Sequence, residues 1–160
     1  NDDRNRTTVM DLLPPEERLF PVGRLDRDTT GVLLITNDGE LANRLTHPRY
    51  GVEKLYIAVT FTEIPRNEYL KLKTGIRLEE GGIARGEIQL LNKTSKRYIW
   101  QVTLKEGKKR EVKRIFTALG SKVVELHREK FAGLGTGKLK SGKFRKLKKT
   151  EIQELYQFSK

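Results

Sequence analysis

From Tyr98 to Leu104 the chain reads Tyr-Ile-Trp-Gln-Val-Thr-Leu, an alternation that leaves little choice of structure. Successive side chains of a strand point to opposite faces, so Tyr98, Trp100, Val102 and Leu104 share one face, and Ile99, Gln101 and Thr103 the other. A face carrying a tryptophan has to be covered. Ala84 to Leu91 forms a second strand, and the polar Asn92-Lys-Thr-Ser-Lys-Arg97 between them predicts a hairpin packed on a core by one face. Arg110 to Leu119 follows with a different period. Val112, Ile115, Phe116 and Leu119 are spaced i, i+3, i+4, i+7, with Gly120 at the position of a C-terminal cap, which predicts an amphipathic helix. Its stripe is expected to be buried, leaving Arg110, Lys113 and Arg114 at its edge or outside.

The other segments are shorter. Val9 to Leu13, stopped by Pro14-Pro15, allows about one helical turn. Val32 to Ile35 is an apolar run with β-branched ends and predicts a buried strand, ended by Asn37-Asp38-Gly39. Asp38 to Leu45 fits a short helix capped by Asn37 or Asp38, with Leu41, Ala42 and Leu45 on one face. Lys54 to Phe61 is rich in strand formers. Arg66 to Lys73 predicts a helix with Tyr69 and Leu70 inward and Ile76 packing nearby. Val123 to Phe131 predicts a strand, the stretch around Phe144 another short one, and Glu151 to Phe158 a helix with Ile152, Leu155 and Tyr156 inward. Strands mixed with helices without strict alternation predict an α+β fold around a largely antiparallel sheet. At 160 residues the chain is expected to be one domain, 1–160, and it contains no internal repeat.

The net charge of +12 is concentrated: residues 105–149 hold 16 Lys/Arg against 4 Asp/Glu, and the rest of the chain balances. A surplus confined to one region describes a contact surface for a polyanion, because neutralising phosphates releases condensed counterions. There is no cysteine, so disulfide and thiolate chemistry is excluded, which suits a cytoplasmic protein. His47 and His127 lack metal-ligand spacing. No apolar run approaches the roughly 18 residues of a membrane span, and no signal peptide is visible. Gly137-Lys-Leu-Lys-Ser-Gly142-Lys143 imitates a phosphate-binding loop, but Phe144 stands where a magnesium-binding hydroxyl is required. Asp26 and Asp28 are neighbours in a turn and need not converge on a metal. No cofactor is expected.

That turn is the most informative polar segment. Gly23-Arg24-Leu25-Asp26-Arg27-Asp28-Thr29-Thr30-Gly31 sets two arginines, two aspartates and two threonines between glycines, and a rigid strand anchors it. Taken alone it is either a functional loop or a solvated turn with local hydrogen bonds. Gly23-Arg24-Leu25-Asp26-x-x-Thr29-Thr30-Gly31, continuing to Gly39, resembles the active-site motif of the ribosomal RNA pseudouridine synthases of the RsuA/RluB type. Glu53-Lys54-Leu55-Tyr56 resembles the Lys-x-Tyr motif of that family, and Glu106 to Arg128 its third motif, in the same order. The resemblance runs over nearly the whole chain. Lys109-Arg110-Glu111 departs from the polar residues often found before the Val-Lys/Arg pair, and leaves Lys113 in register. The chain begins at Asn1 rather than Met, and the small amino-terminal S4-type domain and opening strand usual in the family are not visible, so a fragment or processed product is expected.

The resemblance implies a pseudouridine synthase fold with a central RNA-binding cleft and an enzyme that turns uridine into pseudouridine in ribosomal RNA. The bond from uracil N1 to the sugar is broken and the base re-attached through C5, a rearrangement that formally needs no redox agent, nucleotide or metal. By the same resemblance Asp26 is the catalytic residue, as nucleophile or base. Lys113 is the cation that keeps its carboxylate charged against burial. Tyr56 stacks on the target base and assists proton transfer from C5. Arg24 and Arg27 are expected to fill the space of an extruded uridine or to grip adjacent phosphates. Lys54, Lys108, Lys109, Arg110 and Arg114 are expected contacts to the RNA backbone, with 138–149 as an outer rail. The partners expected are ribosomal RNA or a pre-ribosomal particle, no membrane is involved, and the protein is expected to act as a monomer. The rival expectations are a non-catalytic RNA-binding or ribosome-assembly factor, and the same chemistry on transfer RNA.

Overall fold

The computed structural model of the chain describes residues 9–14 and 18–159. In chain order the elements are β1 (Phe20–Pro21), β2 (Thr30–Gly31), β3 (Ile35–Thr36), α1 (Gly39–Thr46), β4 (Lys54–Thr60), α2 (Arg66–Tyr69), β5 (Ile76–Arg77), β6 (Ile83–Ala84), β7 (Glu87–Lys93), β8 (Tyr98–Leu104), α3 (Glu111–Ala118), β9 (Val123–Phe131) and α4 (Lys149–Phe158), with 3-10 turns at Val9–Leu12, Pro48–Tyr50 and Leu70–Lys73. Five strands make the central sheet in the order β2-β9-β4-β8-β7. β2 runs parallel to β9, and every other pair in that sheet is antiparallel. This is the α+β architecture expected from the pattern.

The alternation in β8 is buried as predicted. Trp100, Val102 and Leu104 are sealed from solvent, and Ile99, Gln101 and Thr103 are half-buried on the other face. Burying an indole N–H requires an acceptor, and Trp100 Nε1 donates to Thr60 Oγ1 at 2.9 Å. Tyr69 and Phe116 meet the Trp100 ring edge-on, at 5.3 and 6.1 Å between centroids. Val112, Ile115 and Phe116 bring α3 into this core. The helix ends as its sequence dictates: Gly120 takes φ 80, and Ser121 N donates back to Phe116 O at 2.8 Å, closing a left-handed cap. A second core gathers Val22, Leu34, Leu45, Phe131 and Leu155 from the loop region, α1, β9 and α4. α1 is capped by Asp38, whose Oδ1 accepts from the amides of Glu40 and Leu41 at 3.1 and 3.2 Å.

Several expectations are corrected. Val32 to Ile35 is not one strand. Thr30–Gly31 pairs with His127–Arg128, and after three intervening residues Ile35–Thr36 pairs instead with Phe20–Pro21, so the chain changes partners along the apolar run while Val32 and Leu34 stay buried. Among the described residues no strand forms around Phe144, which is 52% exposed. Its neighbours are cations that must stay in water, so nothing drives that segment into a sheet. Leu70 and Ile152 are exposed, and Leu72 is fully buried. After Tyr69 the helix tightens to 3-10 winding, which turns each side chain further per residue and exchanges Leu72 for Leu70. In α4 the inward line runs through Leu155 and Ser159, leaving Ile152 off it.

Gly31 sets how the loop meets the sheet. It has φ 121, and a Cβ built there would lie 2.2 Å from Arg128 O. Only the missing side chain lets β2 approach β9, where Val32 N donates to Arg128 O at 3.0 Å. Gly31→Ala is expected to lower stability by more than about 2 kcal/mol, through clash and left-handed backbone strain together. The urea midpoint of the variant against wild type measures it; an unchanged midpoint would mean that β2 does not need the contact.

Candidate active site

The loop between Gly23 and Gly31 is folded on itself and tied down at its far end. Thr29 N donates to Asp26 O at 2.9 Å, Val22 N donates to Leu34 O at 2.8 Å, and Thr30 Oγ1 meets His127 Nδ1 at 2.7 Å. Thr29 is buried, so the turn carries Asp26 on a fixed backbone rather than a swinging one. From α3, Lys113 reaches this loop. Its Nζ lies 2.5 Å from Asp28 Oδ1 and 3.6 Å from Asp26 Oδ2. The lysine side chain is only 13% exposed, Asp26 31% and Asp28 76%. The bond from Lys113, followed by smaller contributions that include Arg110, holds the Asp28 carboxyl below its ordinary range.

Asp26 and Tyr56 line one cavity of about 390 Å³, together with Arg24, Lys54, Lys108, Lys109 and Arg110. Its floor is apolar, from Leu104, Val112, Leu126 and Phe131. A pocket with an apolar base, a carboxylate, a phenol and a cationic rim suits a planar polar base attached to a phosphate chain. Lys113 stands behind Asp26, on a neighbouring groove with Arg110, Arg114, Glu79 and Glu80. The structure does not bring every expected RNA contact to the cavity. Arg27 is exposed outside its wall, and Arg114 is held by the turn between β5 and β6, donating to Gly81 O at 3.3 Å with Glu80 3.9 Å away. Lys108 donates to Ile83 O of the same hairpin and lies 3.7 Å from Glu106. Lys54 sits 5.6 Å over the Phe131 ring; burial, with help from Arg128, lowers its pKa, and Glu111 and Glu106 oppose the shift.

Among the described residues no group of three or more His, Cys, Asp or Glu could hold a metal ion, and no helix is long and apolar enough to cross a membrane. Three charged groups on the cavity wall, Arg128, Glu106 and Glu111, carry no role assigned from the sequence. Two left a signal. Arg128 follows Leu126 at a spacing of two, in the inward phase of β9, where a charge is out of place. Glu111 precedes Ile115 by four residues and so shares the apolar face of α3.

Residues 1–118 match the RNA pseudouridylate synthase family, and the chain belongs to that family. A ribosomal large subunit pseudouridine synthase B from Bacillus subtilis (strain 168) is 43% identical over 157 residues, covering 96% of this chain and 64% of the relative. An uncharacterized RNA pseudouridine synthase from Aquifex aeolicus (strain VF5) is 40% identical over 152 residues, covering 94% of this chain and 61% of its own. The chain thus spans a little under two thirds of the length of these relatives. In three dimensions it superposes on a crystal structure of a pseudouridylate synthase with a TM-score of 0.85 at 33% identity, over 92% of this chain and 65% of that one. The fold expected from the motifs is therefore the fold found.

Glu106 and Glu111 form a carboxyl pair beside the cavity. Glu111 is 4% exposed, its Oε1 accepts from Lys108 N at 3.1 Å, and its buried Oε2 has no donor. An acceptor oxygen without a donor fits a carboxyl whose own proton sits there and is given to Glu106. Burial, reinforced by that bond to Glu106, pushes the Glu111 pKa up to about 7. Burial pushes Glu106 upward too, but the bonds it accepts from Glu111 and from the Arg85 amide outweigh this and leave it below its ordinary range. The folded chain thus keeps the Glu111 proton to about pH 7, where an unfolded chain releases it near 4.5. Between those values the folded state binds more protons, so stability falls as pH rises. Glu111→Gln keeps a donor for Glu106 without the titration. Its stability relative to wild type is expected to climb by on the order of 1–3 kcal/mol from pH 4.5 to 7 and then level off, as read from urea midpoints at a series of pH values.

Proposed function

We propose that this chain is the catalytic part of an enzyme that isomerises uridine to pseudouridine in RNA. The observation that carries the reading is the convergence at Asp26: its carboxylate shares a cavity with Tyr56, and Lys113, from a helix far along the chain, lies 3.6 Å from it. A carboxylate that starts the reaction, whether as nucleophile or as base, has to stay charged when a nucleobase displaces its water. The nearby ammonium offsets that loss of solvation. Tyr56 offers a ring to stack on the base and a hydroxyl for proton transfer at C5. The target uridine has to leave its stack, at a cost of a few kcal/mol, before it can enter. Arg24, Lys109 and Arg110, exposed at the cavity rim, are suited to hold the flanking phosphates.

Ribosomal RNA is the proposed substrate, and the name of the Bacillus subtilis relative favours that of the large subunit. A ribosomal target places the work in the cytoplasm, on ribosomal RNA or a pre-ribosomal particle. A site completed by residues of one chain is consistent with action as a monomer.

Asp26→Asn is expected to reduce pseudouridine formation at least about a thousandfold and to leave RNA affinity within about threefold, because the variant removes a negative charge rather than a phosphate contact. Lys113→Met is expected to lower the rate by about ten- to a thousandfold. Pseudouridine mapping in RNA from cells lacking the gene, complemented by each variant, reads both. Full modification by Asp26→Asn would remove Asp26 from the chemistry. Salt-dependent binding without product even from the wild type would leave a non-catalytic RNA-binding factor.

A further inference from the structure

Among the described residues Arg128 is the only lysine or arginine buried in the fold, at 2% exposure. Desolvating a guanidinium is costly, and the usual compensation is a carboxylate. The contacts of Arg128 are of another kind. Its Nε donates to Val32 O at 3.0 Å, its guanidinium carbon lies 4.8 Å over the Phe131 ring, Nη2 has no hydrogen-bond partner, and Tyr56 is its cross-strand neighbour on β4. Burial accordingly depresses its pKa, and Tyr56 counteracts that.

The register explains why these groups meet. β9 lies between β2 and β4, and at one position Arg128 stands opposite Gly31 on one side and Tyr56 on the other. A register shift between Leu55 and Tyr56 falls at that same place, the kind of irregularity that re-aims a side chain. The Arg128 backbone carbonyl takes the Val32 amide, and its side chain takes the Val32 carbonyl. One residue therefore grips the strand that ends the Asp26 loop and the strand that carries Tyr56. A guanidinium can only donate. Across the strand pair the Tyr56 hydroxyl is within reach of the unpartnered Nη2, and a phenol oxygen that meets a guanidinium can only accept, which leaves its hydrogen for the cavity that both residues line.

We propose that Arg128 is a positioning residue of the isomerisation: it aims the Tyr56 hydroxyl at the base and keeps Tyr56 in register with the Asp26 loop. This rests on the roles of Asp26 and Tyr56 argued above. It makes Arg128 a determinant of rate, not of RNA affinity, although it is a cation beside the pocket.

The test uses ribosomal RNA transcribed with 5-tritiated uridine, which loses its label when C5 exchanges hydrogen for the sugar bond. Arg128→Met is expected to lower kcat about 30- to 300-fold with KM within about threefold, and Arg128→Lys, which keeps a donor, to recover at least about tenfold of that loss. With Tyr56→Phe already in place, adding Arg128→Met should cost less than about a further threefold, because both act through one hydroxyl. Losses that multiply, or a raised KM at normal kcat, would overturn the proposal. If Arg128→Met does not fold, the side-chain nitrogen resonances of Arg128 are compared between wild type and Tyr56→Phe: a shift is expected, and no change overturns the contact. Asp26→Asn in the same assay separates the two levels. Undiminished tritium release there defeats the reading of the site, while the Arg128 resonances still decide whether Arg128 holds Tyr56.

Discussion

A single ammonium group placed between two carboxylates is the contact on which this site depends. Asp26 and Asp28 sit two residues apart in one turn, where their like charges repel. Lys113 offsets that repulsion, bonded to Asp28 and close to Asp26. The arrangement is asymmetric. The largely exposed Asp28 makes the short bond, and the more enclosed Asp26 keeps a looser contact. Asp28 acts as the anchor that parks the lysine beside the Asp26 carboxylate. A lysine suits this because its compact charge can swing between partners, where an arginine fork would lock to one.

Lys113 can do this only if α3 is fixed. Val112, Ile115 and Phe116 sink one side of the helix into the Trp100 core, and Glu111 continues that face as a buried, proton-holding carboxyl. On the other side of the site the loop is fixed by the approach of Gly31 to β9. The two hydrophobic cores therefore hold the two halves of the charge pair, one core behind the helix and the other under the loop. β9 belongs to both, through Leu126 in the first and Phe131 in the second.

The positive charge is less uniform than the composition implies. Arg145 is held by Glu151 in a two-pronged pair at 2.9 and 2.8 Å, which also draws the Glu151 pKa down to about 2. Arg114 is engaged by the turn between β5 and β6 and Lys108 by Ile83 O of β6. Arg24, Lys109 and Arg110 remain exposed around the cavity mouth. Cations already bonded within the protein gain less from a phosphate than free ones, so the surface offered to a polyanion is narrower and better placed than a count of lysines implies.

The periodic elements and the motif residues were legible in the chain itself. Alternation along β8, the i, i+3, i+4, i+7 stripe of α3, the Asp38 cap and the Gly120 terminus are local patterns, because strand and helix geometry repeat over a few residues and the sequence carries the repeat directly. Asp26, Tyr56 and Lys113 are singled out by the resemblance of their motifs to a family; by periodicity alone Tyr56 is an ordinary strand tyrosine and Lys113 an ordinary helix lysine. What no local pattern carried was decided by packing between distant segments. Val32 to Ile35 is apolar throughout, yet Val32 bonds to β9, which the bare Cα of Gly31 lets approach, while Ile35 pairs with β1. Leu70 yields to Leu72 because a helix changed its winding under tertiary load. Arg128 and Glu111 acquired their character from burial, and burial belongs to the assembled molecule: the same side chains on an isolated strand or helix would be ordinary charges in water.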